Sequence, residues 1–215
     1  PDPGDEFDHA GDYWRWKDKD KLPDHLSARP LFTMGSNATI SFGIVIVHHS
    51  VPLAIALENM WQAEAEAKEH KYIDQTGKEQ AKDAVQVRVI YGNGNILKAT
   101  SKFDVFAQWQ QLVNLDIDIA NTDRPALFEQ AAKVWDQHPV PVYEAIDAWC
   151  VAFCDRREKL NDDNKDKFRN ALTQFIEALW IKTKKDKRDE EIKNWLKLAA
   201  FILRKRDIKI KLQEI

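Results

Sequence analysis

The chain has 215 residues, 44% of them hydrophobic and 31% charged, with a formal net charge of −3, which excludes a disordered or collagen-like chain and suits one large domain or two small ones. Apolar runs such as Gly43 to Val47 are far short of the roughly 18 residues that cross a membrane. With two cysteines, no disulfide framework and no recognisable signal segment, the expected setting is a reducing cytoplasm with no membrane contact.

The chain opens Pro1-Asp2-Pro3-Gly4 without an initiator methionine, which reads as a piece of something longer. Residues 1–37 have no usable periodicity and are expected to form a long surface loop, anchored by Tyr13, Trp14, Trp16 and the Leu31-Phe32 pair. Ala38 to Val47 is rich in β-branched residues and predicts a central strand, buried on both faces in its second half. Pro52 suits the first turn of a helix. In that helix Leu53, Leu57, Met60 and Trp61 form an apolar stripe, with Glu64 and Lys68 on the same face. Asp83 to Ile90 alternates as a strand, Tyr91 to Asn95 is a turn, and Ile96 to Thr100 returns as the hairpin partner.

Beyond Phe103 the periodicity is helical. Helices are predicted over Val105–Leu115, Arg124–Trp135, Val142–Leu160, Asp166–Ile181 and Asp189–Arg206, with Asp123 an N-cap ahead of Arg124-Pro125. Ile192, Trp195, Leu196, Ala199, Ile202 and Leu203 make one broad apolar face. Only Ile208 to Leu212 alternates again at the end. The fold class is therefore α+β, with a boundary near residue 120 between a partial α/β unit (38–120) and a helical bundle (121–215). Charge is also unevenly distributed along the chain. Residues 155–215 carry 18 Lys+Arg against 12 Asp+Glu, whereas the first 154 carry 14 against 23. Lys182, Lys184, Lys185, Lys187 and Arg188 alternate with acids and read as a solvated helical surface. The other reading is a basic segment facing an acidic partner or a phosphate backbone.

Nothing in the sequence assembles a conventional catalytic centre. No phosphate loop, Gly-x-Ser-x-Gly elbow or nucleophile–base pair occurs. His48 and His49 are adjacent on a strand, so they are expected to point to opposite faces and to serve structural or turn roles. His9, His25, His70 and His138 have no ligand spacing. Cys150 and Cys154, four apart on one helix, read as buried thiols rather than a zinc or redox pair. Arg156, Arg157, Arg204, Lys205 and Arg206 read as ordinary helix-end charges or as contacts to acidic neighbouring subunits, in preference to an RNA backbone.

Two stretches carry a resemblance. Gly4-Asp5-Glu6-Phe7 is similar to the GGDEF hairpin of nucleotide cyclases, in which paired acids hold magnesium against a triphosphate. Position 3 is proline, however, no apolar strand precedes the motif, and Pro23 and Pro30 interrupt the chain between it and Thr39, so it reads as a chance match. The stronger one is Thr39-Ile40-Ser41-Phe42-Gly43-Ile44, succeeded by a helix closing on Ala67-Lys68. It resembles the second half of the same cyclase palm, the C-terminal half of a GGDEF/cyclase-like domain. A lysine in the last helical turn can reach across the sheet edge to phosphate oxygens as a mobile point charge, and a glycine admits a close backbone approach.

The longer stretch Ala38 to Leu53, with His48-His49 running into Pro52-Leu53, resembles the large Cmr-type palm subunit of type III CRISPR effector complexes. Lys82 to Val89, Phe106 to Trp109, Trp149 to Arg157 and Trp195 to Arg206 are similar to later parts of that subunit. The resemblance covers about residues 36 to 206 and implies the C-terminal portion of a subunit that converts ATP to cyclic oligoadenylates when a foreign transcript is recognised. It implies Ser41, Gly43 and Lys68 as nucleotide-binding residues, and ATP with Mg2+ (or Mn2+) only once the rest of the palm is supplied. The implied partners are small helical protein subunits, with guide RNA and target RNA met indirectly. The sequence holds no Gly-Gly-Asp-Asp hairpin, so no catalytic residue is assigned and catalysis by the chain alone is not expected. The alternative is a stand-alone GGDEF-like cyclase in which Asp5 and Glu6 hold magnesium.

Overall fold

The computed structural model describes residues 7–9, 13–16, 31–32, 39–120, 123–158 and 160–205. The chain divides into two compact units, residues 1–40 and 41–215. In the first, β1 (Phe7–His9), β2 (Tyr13–Trp16) and β3 (Leu31–Phe32) form an antiparallel sheet in that order. Phe7 pairs with Trp16, Tyr13 with Phe32, and Trp14 with Leu31. The residues expected to anchor a loop are therefore strand residues. Strands of two to four residues are too short to display an alternation against intervening Lys- and Asp-rich segments.

The second unit begins with β4 (Phe42–Val47) and α1 (Leu53–Glu69), then a short hairpin of β5 (Tyr72–Ile73) and β6 (Glu79–Gln80). The strands β7 (Ala84–Ile90) and β8 (Ile96–Lys102) come next. After them come α2 (Phe103–Val113), α3 (Asp123–Gln137), α4 (Ile146–Asp155), α5 (Asp162–Ile181) and α6 (Arg188–Lys205). The main sheet has the order β4-β7-β8. β4 runs parallel to β7, joined by the α1 crossover, and β7–β8 is an antiparallel hairpin. Its turn is closed by Tyr91 N–H donating to the Asn95 carbonyl at 2.9 Å, with Gly94 at φ +83°, a conformation that glycine reaches without a Cβ clash.

β7 is the central strand and is buried throughout. Its odd-numbered residues Val85, Val87 and Val89, with Leu97 and Ala99 of β8, join the side chains of α2, α3, α4, α5 and α6 in a single buried cluster. Trp135, Trp195, Phe128, Phe168 and Phe175 are its largest fully buried apolar members. Strands and helices on either side of residue 120 thus share one core. The expected apolar face of α6 points into it, apart from half-buried Ile202.

Two helices differ from expectation in extent. The segment predicted as one helix over Val142–Leu160 is a 3-10 turn, Tyr143–Ala145, leading into α4, which stops at Asp155. α5 starts earlier than its apolar pattern does, because Asn161 Oδ1 accepts the Asn164 N–H at 2.9 Å and caps it. The predicted Ile208–Leu212 strand lies outside the described residues. Among those described, no helix is long and apolar enough to cross a membrane.

Candidate functional site at the open edge of the sheet

Contrary to the central, doubly buried strand expected, β4 lies at the edge of its sheet. Among the described residues of this unit, no strand pairs with its outer side. Phe42 is 47% exposed and Ile44 41% exposed. The opposite edge is handled differently. There Glu191 Oε2 accepts the Thr100 N–H at 2.7 Å, and Trp195 Nε1–H donates to the Thr100 carbonyl at 3.0 Å. α6 therefore satisfies main-chain groups of β8 that would otherwise invite another strand.

The apolar stripe of α1 also turns away from the expected core. Asn59, Ala63 and Ala67 are its buried residues, one helical turn apart. Leu53 is 72% exposed and Trp61 63% exposed, with Leu57 and Met60 also accessible. Two sets of contacts fix the direction of this stripe. On one flank Glu66 and Gln62 reach Arg88 of β7. The backbone of Met60 and Glu64 lies over Gly43 of β4. At 100° per residue, the flank bearing Leu53, Leu57, Met60 and Trp61 projects past β4 on its open side. Main-chain groups of β4 are thus bordered by Phe42 and Ile44 on one face of the sheet and by the α1 stripe on the other.

The stripe faces outward because the inner flank of α1 is occupied by a polar network. Arg88 is fully buried. Its guanidinium donates to Gln86 Oε1 at 2.7 Å, Asn59 Oδ1 at 3.0 Å and Gln62 Oε1 at 2.9 Å, and pairs with Glu66 at 2.8 Å. Gln86 in turn donates to Glu66 and to Thr100 Oγ1. The hydrogen bonds of Gln86 and Lys98, and the charges of Arg88 and Lys98, hold the Glu66 carboxyl below its usual range against the opposing desolvation. Sequence reasoning missed Arg88, although a charged residue amid the Val85, Val87, Val89 alternation was the available signal.

The three predicted nucleotide-binding residues belong to this strand–helix unit. Gly43 serves packing. A Cβ there would lie 2.5 Å from Glu64 N, 2.7 Å from Met60 O and 2.9 Å from Ala63 Cβ. The close approach it permits in this structure is to the backbone of α1. Ser41 is two residues back on the same side of the strand. Two strand residues span about 6.6 Å, the rise of about four helical residues, so Ser41 comes level with Ala67 and Lys68. Its hydroxyl is shielded and has no hydrogen-bond partner among the described residues. Lys68 is half exposed, pairs with Glu64 at 2.5 Å, and sits on the flank of α1 that overhangs the open edge. An orphaned hydroxyl and a mobile ammonium at one end of the unit fit the oxygens of a phosphate. A divalent cation finds no comparable donor set, because no group of three His, Cys, Asp or Glu residues able to hold a metal occurs among the described residues.

Several of the other singled-out residues have structural partners, and some fall outside the description. Gly4, Asp5 and Glu6 lie outside the described residues. His48 and His49 form a turn after β4, with ring centroids 4.2 Å apart rather than on opposite faces. His48 Nδ1 lies 2.7 Å from Ser50 Oγ and accepts the Ser50 N–H at 3.3 Å. Cys150 and Cys154 are buried free thiols, pushed up to about 12 and about 11 by desolvation. Arg157 stacks on Phe153 and donates to Gln130, and Arg204 pairs with Glu129. Lys182 pairs with Asp104, and Arg188 stacks on Trp180.

No family model matches the sequence, and no curated protein matches it either.

Proposed function

We propose that the chain is the C-terminal portion of the large palm subunit of a type III CRISPR antiviral effector complex in the cytoplasm. It contributes the second half of an ATP-binding palm and a helical scaffold that contacts small subunits. The observation that carries this reading is the contrast between the two edges of the sheet. One is capped by Glu191 and Trp195; the other has no strand partner among the described residues of its unit and is bordered by exposed apolar side chains on both faces. A palm divided between its halves leaves such an edge on the second half, beside the strand that carries Ser41. The Thr39–Gly43 wording, the α1 ending at Ala67-Lys68 and the α-helical C-terminal part support the same reading.

In this reading Ser41 donates its hydroxyl hydrogen to a phosphate oxygen, and Lys68 exchanges its Glu64 partner for the phosphate charge. Gly43 holds α1 close enough to the strand to bring the two together. ATP with Mg2+ or Mn2+ supplies the reacting triphosphate, and the metal-binding acids come from the other half of the palm. Guide and target RNA are met through partner subunits.

The experiment is ATP binding by the assembled complex with wild-type chain or Lys68→Ala. The expected result is weaker ATP binding with assembly intact. Equal ATP affinity in the two complexes would remove Lys68 from the site.

A further inference from the structure

A groove of about 640 Å³ runs between α3 and α6, beside the turn that follows β7. The pairs Lys193–Asp136 and Arg204–Glu129 set the two helices antiparallel. Each helix lines the groove with one stripe at helical spacing. Glu129, Lys133 and Asp136 come from α3, and Lys197, Phe201, Arg204 and Lys205 from α6. Neither the open strand edge nor Ser41 and Lys68 belong to it.

Charge in this groove is not balanced. Its lining holds four cations against two acids, and both acids are already met. Arg204 pairs with Glu129, and Lys193, from just outside the lining, pairs with Asp136 at 3.0 Å. Lys133, Lys197 and Lys205 are exposed and make no hydrogen bond or ion pair among the described residues. Between Lys197 and Lys205 the helix rises about 12 Å, so the unmatched charges are spread along the groove rather than gathered at one point. The sequence presents Arg204 and Lys205 as helix-end charges, and only the fold adds Lys133 and Lys197 to them. Separated, solvated cations of this kind suit a polyanion with spaced charges.

Aromatic rings border the same cations. Tyr91 and Phe201 are half-buried at one side, edge to face with centroids 5.8 Å apart. Further along the turn, a Cβ at Gly92 would lie 3.3 Å from His48 Nδ1, and the rings of His48 and His49 are 4.2 Å apart. Rings beside unpaired lysines supply both parts of single-strand recognition, base stacking and phosphate neutralisation. The second oxygens of the two acids, Glu129 Oε1 and Asp136 Oδ2, carry no ion pair. They can accept from hydroxyl donors, and a ribose 2′-OH is one that deoxyribose lacks. Residues 206–215 are a poorer occupant on charge, because Arg206, Lys209 and Lys211 outnumber Asp207 and Glu214.

We propose that this groove binds a single strand of RNA directly. Phosphates lie on Lys133, Lys197 and Lys205, a base lies against Tyr91, and ribose hydroxyls face Glu129 and Asp136. The contact is additional to RNA met through partner subunits, and it does not depend on the palm reading.

The test is fluorescence anisotropy of a labelled oligo(U) strand with the purified 215-residue chain, over a series of salt concentrations. Oligo(dT) and a poly-glutamate peptide of matched length are the comparisons. The expected result is saturable binding of oligo(U), tighter than of either comparison. Three neutralised phosphates give a slope of log K against log salt of about −2. Lys133→Gln, Lys197→Gln and Lys205→Gln each flatten that slope by about 0.7, and together they weaken binding at least about tenfold. All three side chains are exposed, so the melting temperature stays unchanged. Tyr91→Leu keeps an apolar side chain at the groove and is expected to lose about fivefold, the lower value for one stacked base. Each of these results would overturn the proposal: no saturable binding of oligo(U), equal affinity for oligo(dT), an unaltered slope in the triple lysine variant, or unchanged affinity in Tyr91→Leu. Poly-glutamate binding as tightly as oligo(U) would also overturn it and give the groove to an acidic protein segment.

Discussion

Gly43→Ala tests the packing that fixes the strand–helix unit. The added Cβ would lie 2.5 Å from Glu64 N and 2.7 Å from Met60 O. Both are main-chain atoms of a continuous helix, so no side-chain rotation can relieve the overlap. Reaching an ordinary 3.4 Å contact requires α1 to lift off β4 by most of an ångström. That displacement stretches the Arg88 bonds to Asn59 and Gln62, now 3.0 and 2.9 Å, beyond hydrogen-bond range. Overpacking of this kind costs about 1–3 kcal/mol, and each weakened hydrogen bond adds about 1 kcal/mol. The expected total is about 3–5 kcal/mol, or a fall in melting temperature of about 6–20 °C for a chain of this size. Thermal and urea unfolding by circular dichroism measure it. Gly92→Ala is the matched control, because its Cβ meets only the His48 ring at 3.3 Å, which can rotate away. If Gly43→Ala unfolded with the wild type while Gly92→Ala did the same, the close approach of α1 to β4 would be refuted.

Three further outcomes rest on the same geometry. Arg88→Ala leaves the oxygens of Gln86, Asn59 and Gln62 without their shared donor, and is expected to cost about 3 kcal/mol or more in urea unfolding; a change under about 1 kcal/mol, the size of one ordinary hydrogen bond, would contradict the network. Trp61→Glu is expected to change the stability of the isolated chain by no more than about 0.5 kcal/mol, because the residue is already largely exposed, and yet, on the proposed palm reading, to abolish binding to the other half of that palm. A large loss of stability would mean that the ring is packed. Burial pushes Glu191 up to about 7 from a usual 4.5. The folded chain therefore holds a proton that the unfolded chain releases, and this contribution is full below about pH 4.5 and lost as pH rises through 7. Glu191→Gln keeps an acceptor for Thr100 and removes that loss, so the variant's melting temperature should gain on the wild type from about pH 5 to about pH 8. His70, held near 4, acts oppositely by losing stability as pH falls below 6.5. It is common to both proteins and cancels in the comparison. A constant difference across that range would show that Glu191 titrates normally.

The helices and the β7–β8 hairpin were legible because their signals are local. The face of α6 from Ile192 to Leu203 repeats at helical spacing, and the Tyr91–Asn95 turn contains the glycine its geometry requires. The orientation of α1 was not legible in this way. An apolar stripe is expected to face inward, but here Arg88 and Gln86 present a polar surface to α1 and bind its Asn59, Gln62 and Glu66 flank. The β-branched run of β4 likewise reads as a central strand, since composition reports suitability for burial and not the number of neighbours present. β5 and β6, two residues each, are organised by Asp74, whose Oδ1 accepts from Thr76 and Lys78 and whose Oδ2 accepts from Gln80. Their periodicity is too brief to register. Ser41 and Lys68 were proposed from wording, whereas Arg88 meets Asn59, Gln62 and Glu66 only through the tertiary fold.

The central claim is that the chain works as part of an RNA-guided assembly, and the direct measurement is a mild pull-down of the tagged chain from its native host. Mass spectrometry and RNA extraction on the recovered material read the result. The account predicts several helical and RNA-binding subunits together with a short RNA of uniform length. Recovery of the chain alone, without RNA, and with ATP or GTP turnover by that pure chain, would contradict it in favour of an independent cyclase.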